Sequence, residues 1–276
     1  MPLQMARHGD VSLVVEVTGE GPTVLLLHGW PDTARLWDDV ASRLVEAGFR
    51  VVAPDLRGCG RSSKPEAVDA YALAHLIGDV GAILDAVGAG RAAVVGHDWG
   101  AALAWATAMA APERVSALGA ISVGHPSAFR GAGLEQMIKS WYMLVFSQPG
   151  LGEAFLRFND HEALRRWVRH PRVDEVIAEL ERDGQMSAHL RWYGANFRAD
   201  WFLAEAARLP DVAAPTLGLW STRDFALTER QMVDSASHCS GGFTYVRVEG
   251  AGHWLPIEAP ERVADELVRF LRANAV

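Results

Sequence analysis

The chain has 276 residues, of which half are apolar and 22% are charged, and its formal net charge is −8. This length can bury a large core as one domain with an insertion, and the composition excludes a disordered or collagen-like chain. An acidic chain without a lysine and arginine cluster argues against nucleic acid or an anionic membrane as a partner.

Targeting and redox features are equally sparse. No apolar run approaches the roughly 20 residues that span a bilayer, and the N-terminal stretch has no apolar signal region. The two cysteines, Cys59 and Cys239, lie far apart and suggest neither a disulfide framework nor a metal site. We therefore expect a cytoplasmic protein without metal, cofactor or membrane partner, and we leave a homodimer open.

Short β-rich runs alternate with helical patterns along the chain. The predicted strands cover 11–17, 24–27, 49–53, 92–95, 115–123, 216–220 and 243–248, and the predicted helices cover 32–47, 73–87, 101–110 and 260–273. Continuous apolar strands separated by helices are typical of a largely parallel sheet with helices on both faces, so we predict an α/β fold.

One segment, 127–209, breaks this alternation. Its tryptophans recur at helix-like spacing, and it contains no clear strand. We expect a helical cap at 127–209, inserted between a first core part at 1–126 and a second core part at 210–276.

The pentapeptide Gly96-His97-Asp98-Trp99-Gly100 lies between a predicted strand and a predicted helix. Its pattern matches the sharp turn called a nucleophile elbow, with aspartate where ester hydrolases carry serine. The alternative is an ordinary aspartate N-cap, and both can hold because a helix N-terminus stabilises a carboxylate.

A second motif, His28-Gly29-Trp30-Pro31, follows the strand at 24–27. In proteins with such an elbow, this loop and the residue after the nucleophile each supply a backbone N–H to an oxyanion hole. We therefore predict that the N–H groups of Trp30 and Trp99 form this hole. The alternative is a loop closed only by its glycine and proline.

Two further candidates follow the last two strands. Asp224 comes just after the strand at 216–220, and His253 comes just after the strand at 243–248. A single loop aspartate or histidine is usually a cap or a solvated residue. The order nucleophile, acid, histidine at three such positions favours a catalytic triad of Asp98, Asp224 and His253.

An aspartate nucleophile changes the chemistry that the triad can perform. A serine attacking an sp³ carbon leaves an ether, whereas the Asp98 carboxylate leaves an ester whose carbonyl water can attack. His253, oriented by Asp224, is the natural base for that water. The predicted substrates are therefore an alkyl electrophile and water.

The leaving group distinguishes an epoxide from a haloalkane, because an opened epoxide is an alkoxide that needs a proton. Tyr142 and Tyr193 both fall in the expected cap. A phenol with a pKa near 10 stays protonated at neutral pH and can donate to an alkoxide. Two aromatic residues that simply pack the cap are the alternative.

With these residues the chain resembles the α/β-hydrolase-fold epoxide hydrolases, and the resemblance covers nearly its whole length. The resemblance implies that Asp98 is the nucleophile, that His253 with Asp224 activates water, and that Tyr142 and Tyr193 hold and protonate the epoxide oxygen. Ser147 and Gly194 depart from residues that are usual in the family. The matching motifs are 28–31, 96–100, 142–150, 190–193, 224–225 and 252–254.

Two alternative functions use the same scaffold. A haloalkane dehalogenase shares the fold and the aspartate, and the Trp99 indole could bind a halide. However, Trp30 stands where many dehalogenases have a halide-binding asparagine, and the tyrosine pair would have no role. A non-catalytic small-molecule binding protein is disfavoured because all three triad members are present.

The conversion of a small apolar epoxide and water to a vicinal diol is therefore the predicted reaction. Residues beside these motifs are expected to wall an apolar pocket, although most tryptophans are simply core and His125 could equally be a hinge residue. The predicted pocket residues are His28, Pro31, His125, Phe129, Trp254 and Leu255.

Overall fold

The computed structural model describes residues 3–182, 184–197 and 209–274, which are built around one eight-stranded sheet. The sheet order is β1-β2-β4-β3-β5-β6-β7-β8, with β2 antiparallel to both β1 and β4 and the other pairs parallel. The strands are β1 (Leu3–His8), β2 (Val11–Thr18), β3 (Thr23–Leu27), β4 (Arg50–Pro54), β5 (Ala92–His97), β6 (Val115–Ile121), β7 (Thr216–Ser221) and β8 (Phe243–Val248).

Twelve helices accompany the sheet in the described part of the chain. They are α1 (Asp38–Glu46), α2 (Leu73–Ala86), α3 (Trp99–Ala110), α4 (Pro126–Gly131), α5 (Leu134–Lys139), α6 (Trp141–Phe146), α7 (Leu151–Glu162, with non-helical backbone at 158–161), α8 (Val173–Leu180), α9 (Gln185–Asn196), α10 (Glu229–Val233), α11 (Leu255–Glu258) and α12 (Pro260–Ala273). Shorter helical turns cover Ala34–Trp37, Val68–Tyr71, Pro112–Arg114, Ala163–Val168 and Asp234–His238. None of the helices described is long and apolar enough to cross a bilayer.

Strand β3 shows why helices cover both faces of the sheet. Successive side chains point to opposite faces, and Val24 and Leu26 pack in one apolar cluster while Leu25 and Leu27 pack in the other. The first cluster includes residues of α1 and α12, and the second includes residues of α2 and α3. These four side chains are fully buried, so residues 24–27 form a continuous apolar run.

The predicted α/β fold with a mostly parallel sheet is confirmed. Apart from shifts of one or two residues at the ends of elements, the structure departs from the local predictions in two places. The helix expected over 32–47 is a short turn at Ala34–Trp37 followed by α1, and strand β1 was not predicted. Strand β1 lies at the sheet edge with Leu3 and Met5 exposed, so it lacks the buried pattern that identifies a strand.

Between β6 and β7 the described residues contain helices α4 to α9 and no strand. We refer to these inserted helices as the cap. Residues 198–208, which belong to the cap as predicted from sequence, lie outside the described residues. The division of the chain at 127 and 209 remains a prediction.

Helix α3 begins in close contact with the sheet because Gly96 and Gly100 carry no side chain. A Cβ on Gly100 would meet the Leu27 carbonyl, and a Cβ on Gly96 would meet the Gly100 carbonyl. The backbones of β3, β5 and α3 can therefore approach one another only with glycine at these positions. This contact sets the position of the residue between β5 and α3, Asp98.

We expect Gly100→Ala to lower the free energy of unfolding by about 1–3 kcal/mol, because its methyl group would overlap the Leu27 carbonyl. Gly81→Ala on α2 is the matched control, since nothing lies within 4 Å of the added methyl group. It should stabilise the protein by about 0.5–1 kcal/mol through helix propensity. Urea unfolding measures both, and equal effects would contradict the packing argument.

Candidate active site

Asp98 occupies a sharp turn between β5 and α3. Its φ of 53° and ψ of −123° are rare for a residue with a side chain, and such backbone conformations cluster at functional sites. The side chain is largely buried, with 7% of the residue exposed. The turn directs the Asp98 carboxylate to the carboxyl edge of the parallel strands.

One carboxylate oxygen of Asp98 is already bound by a backbone donor. The N–H of Trp30, in the loop after β3, donates to Asp98 Oδ1 over 2.8 Å. Trp99 is the first residue of α3, where a backbone N–H has no partner within the helix. These are the two N–H groups that the sequence predicts for an oxyanion hole.

The loops after β7 and β8 bring Asp224 and His253 to the same edge. His253 Nδ1 donates to Asp224 Oδ2 over 2.9 Å, and its Nε2 lies 3.6 Å from Asp98 Oδ2. The other oxygen of Asp224 accepts the N–H groups of Ala226 and Leu227, each over 2.9 Å. Asp224 is thus held from both sides and orients the imidazole towards Asp98.

The electrostatics of this pair favour the charged forms. Burial disfavours charge on both residues, but for His253 the Asp224 carboxylate and then Asp98 outweigh it and raise the pKa to about 10. For Asp224 the burial effect is likewise outweighed, by the charge and hydrogen bond of His253 and by two backbone N–H groups, so its pKa is lowered. At neutral pH the buried imidazole is therefore a cation between two carboxylates.

Tyr142 on α6 and Tyr193 on α9 lie above Asp98 with their ring centroids 6.1 Å apart. Both are buried, and burial raises the pKa of each phenol well above its ordinary value, with the Asp98 carboxylate adding to the effect. Both phenols are therefore proton donors at neutral pH, and they face the cavity that Asp98 borders.

This cavity has a volume of about 310 Å³. Asp98, Trp99 and both tyrosines border it, as does the predicted pocket residue Phe129. Most of the remaining wall is apolar, and part of its floor is a face of α3. The arrangement suits an apolar molecule whose reacting carbon meets a carboxylate and whose oxygen meets two phenols.

Five predicted pocket residues are not among those that border this cavity, so their place in the pocket stays a prediction: His28, Pro31, His125, Trp254 and Leu255. The His28 ring instead connects two loops, because Nδ1 donates to the Gly29 carbonyl and Nε2 accepts from the Leu56 N–H, each over 3.0 Å. Burial lowers the pKa of His28, so its ring is neutral and suited to this bridging role.

Three of the others, His125, Leu255 and Pro31, lie in different surroundings. The His125 ring stacks on His238 with centroids 4.3 Å apart, and its Nδ1 accepts the Ser127 N–H that begins α4. Leu255 is fully buried in the core, and Pro31 borders a separate groove. A position next to a motif does not reveal on which side of the backbone its side chain lies.

Asp32 and His170 form a buried pair that the sequence analysis did not single out. Asp32 accepts hydrogen bonds from His170 Nε2 and from Trp254 Nε1, each over 3.1 Å. Burial opposes ionisation of Asp32, but His170 outweighs it and lowers the pKa of the carboxyl. Because Trp254 follows His253 and packs edge-on against its ring, this network joins the cap to the loop that carries the histidine. The sequence signal was an acidic residue directly after Pro31.

Fold and site together define an α/β hydrolase whose elbow carries an aspartate. The chain matches the model of the alpha/beta hydrolase fold family over residues 22–260. Epoxide hydrolase A of Mycobacterium tuberculosis is 33% identical, and the alignment covers 94% of this chain and 93% of that protein. An epoxide hydrolase of Caballeronia sordidicola is 30% identical, with 95% and 91% covered.

A solved structure agrees with these sequence relatives. The crystal structure of epoxide hydrolase A from Mycobacterium thermoresistibile superposes with a TM-score of 0.84 at 30% identity, covering 98% of both chains. The chain belongs to the α/β-hydrolase-fold epoxide hydrolase family.

The cause of the raised His253 pKa can be tested by removing the charge of Asp224. Asp224→Asn removes the nearest negative charge, so the pKa of His253 should fall well below about 10, as measured by ¹⁵N NMR of the imidazole. Asp265→Asn, at an exposed position on α12, is the control and should leave the value unchanged.

The raised pKa of His253 also makes the stability of the fold depend on pH. Because the folded pKa lies above the ordinary 6.5, protonated His253 stabilises the fold fully below pH 6.5, and this contribution is lost as the pH rises towards about 10. Asp224→Asn should reduce that loss. An unchanged histidine titration in Asp224→Asn would contradict the electrostatic account.

Proposed function

We propose that the protein converts a small apolar epoxide and water to a vicinal diol through a covalent ester on Asp98. The observation that carries this proposal is the different environment of the two Asp98 oxygens. Oδ1 accepts the Trp30 N–H, whereas Oδ2 faces His253 at 3.6 Å. Oδ2 is therefore the attacking atom, and Oδ1 becomes the carbonyl oxygen of the ester.

In the first step Oδ2 attacks an epoxide carbon while the bond from that carbon to the ring oxygen breaks. The ring oxygen leaves as an alkoxide and takes a proton from Tyr142 or Tyr193. Their phenols are protonated because burial raises the pKa of each. Proton donation in the transition state makes the alkoxide an adequate leaving group.

In the second step a water molecule attacks Cγ of the ester after giving a proton to His253 Nε2. The negative charge that develops on Oδ1 is stabilised by the N–H groups of Trp30 and Trp99. Collapse of this intermediate breaks the bond between Cγ and Oδ2. Oδ2 leaves as the second oxygen of the diol and takes the proton that His253 Nε2 received from water. The proton on the water-derived oxygen of Asp98 then passes to the imidazole, which restores the Asp98 carboxylate and the His253 cation.

The pKa of His253 fits this sequence of steps. In the free enzyme the imidazole is charged, because Asp224 and Asp98 raise its pKa to about 10. Ester formation removes the charge on Asp98 and so weakens the hold on the proton. The proton that leaves His253 replaces the one that the tyrosine gave to the alkoxide, and the neutral imidazole can then accept a proton from water.

The first test of the mechanism traps the ester. His253→Gln should form the ester and fail to hydrolyse it, so intact-protein mass spectrometry should show a gain equal to the whole mass of an aryl epoxide. Peptide mapping should place this gain on Asp98, and the double variant Asp98→Asn/His253→Gln is the control that should show none. Turnover by His253→Gln at the wild-type rate would overturn the mechanism.

A 1-haloalkane serves as the second probe in the same experiment. We expect no adduct from it. A gain equal to the alkyl group from the haloalkane alone would show a dehalogenase, with the tyrosines acting only in packing.

The second test addresses the proton donors. Tyr142→Phe and Tyr193→Phe should each slow ester formation by about 10²–10⁴-fold in single-turnover kinetics, since each removes a positioned acid. The rate of ester hydrolysis should change far less. Tyr245→Phe is the matched control, because this hydroxyl donates to Glu229 outside the cavity. Equal effects on both steps would argue for a packing role.

A further inference from the structure

We infer that the substrate is a terminal epoxide with a single unbranched apolar substituent, which lies along one face of α3. This inference rests on the proposed function, since it takes Asp98 as the reacting group. Ala102, Ala106 and Met109 border the cavity at intervals of four and three residues, which places them on one face of the helix. With a rise of 1.5 Å per residue, this face extends about 16 Å from Asp98 to Met109.

The alanines provide the length of this channel. Each presents only a methyl group to the cavity, and Phe129 and Met143 border the same space. A leucine at either alanine position would place three further carbon atoms where we position the substituent. Ala102 and Ala106 are therefore the specificity-determining residues.

The opposite side of Asp98 is filled by aromatic rings. Trp30 packs on Phe146 with centroids 4.9 Å apart, and Phe146 packs on Tyr193 at 5.2 Å. The void next to the Trp30 ring measures only about 10 Å³, which is at most one water molecule. Within the described residues, the packing of these rings leaves no space for a second substituent on that side of the epoxide.

Asn196, which also borders the cavity, offers the substrate no donor. Its side-chain oxygen accepts the Leu73 N–H over 2.8 Å. Its amide nitrogen donates to the carbonyls of Tyr71 and Trp192, over 2.8 and 2.9 Å, which uses both N–H groups. A hydroxyl or charge beside Asn196 would therefore lose water and gain no N–H donor in exchange, so this part of the wall favours an apolar chain.

The shape of the cavity is tested with two isomers of equal composition, 1,2-epoxydecane and trans-5,6-epoxydecane. Their apolar surfaces are similar, so a difference in kcat/KM reports the position of the chains. We expect the terminal isomer to be favoured by about 100-fold or more. From 1,2-epoxybutane upwards, each added methylene should raise kcat/KM about fourfold. Equal values for the two isomers would overturn the inference.

Variants on α3 test whether Ala102 and Ala106 determine the preferred chain length. Ala106→Leu should lower the ratio of kcat/KM for 1,2-epoxydecane over 1,2-epoxybutane by about tenfold or more. Ala102→Leu is a second variant, at a half-exposed position, and it should also lower this ratio. Ala110→Leu, at the exposed end of the same helix, is the matched control and should keep the wild-type ratio. An unchanged ratio in folded Ala106→Leu and Ala102→Leu would assign the length preference to other residues and overturn the inference.

Binding of the diol products separates this inference from the proposed function. Calorimetry with 1,2-decanediol and 1,2-butanediol needs no turnover, and Ala106→Leu should lose affinity mainly for the longer diol. If the wild type hydrolyses epoxides but shows no chain-length preference, the inference alone fails. If it hydrolyses none and traps none on Asp98, the proposed function fails, and the diol affinities still decide the shape of the channel.

Discussion

The proposed chemistry is positioned around the sharp turn that carries the chain from β5 into α3. Gly96 and Gly100 let α3 begin against the backbones of β5 and β3, and Asp98 between them takes a backbone conformation that few residues adopt. Parallel strands end at one edge of a sheet, so the loops after β3, β7 and β8 reach this same point. Trp30, Asp224 and His253 meet Asp98 there.

The charged groups and the neutral proton donors of the proposed reaction lie in two different layers of the molecule. In the core layer the His253 cation lies between the carboxylates of Asp224 and Asp98, so each buried charge has a partner. In the cap layer Tyr142 and Tyr193 are buried among aromatic rings, which keeps both phenols neutral. The proposed reaction uses this contrast, because ester formation discharges Asp98 and changes the basicity of the histidine below it.

The cap also shares a buried contact with the loop that holds the histidine. Asp32 bonds both to His170 of the cap and to Trp254, the neighbour of His253. Movement of the cap relative to the sheet would therefore disturb both the tyrosines above Asp98 and the loop behind it. The cavity left between cap and sheet follows α3, where alanines rather than large side chains face it.

The sequence by itself determined the fold class, most of the strands and helices in chain order, and the residues of the proposed triad. These follow from local patterns, namely apolar runs, the glycines around Asp98, and aspartate and histidine residues directly after strands. The tertiary structure alone decided which side chains face the cavity. Of the predicted pocket residues only Phe129 borders it, and Ala102, Ala106 and the pair Asp32–His170 were not found from the sequence. Those facts arise from contacts between segments distant in the chain, and neither periodicity nor spacing specifies such contacts.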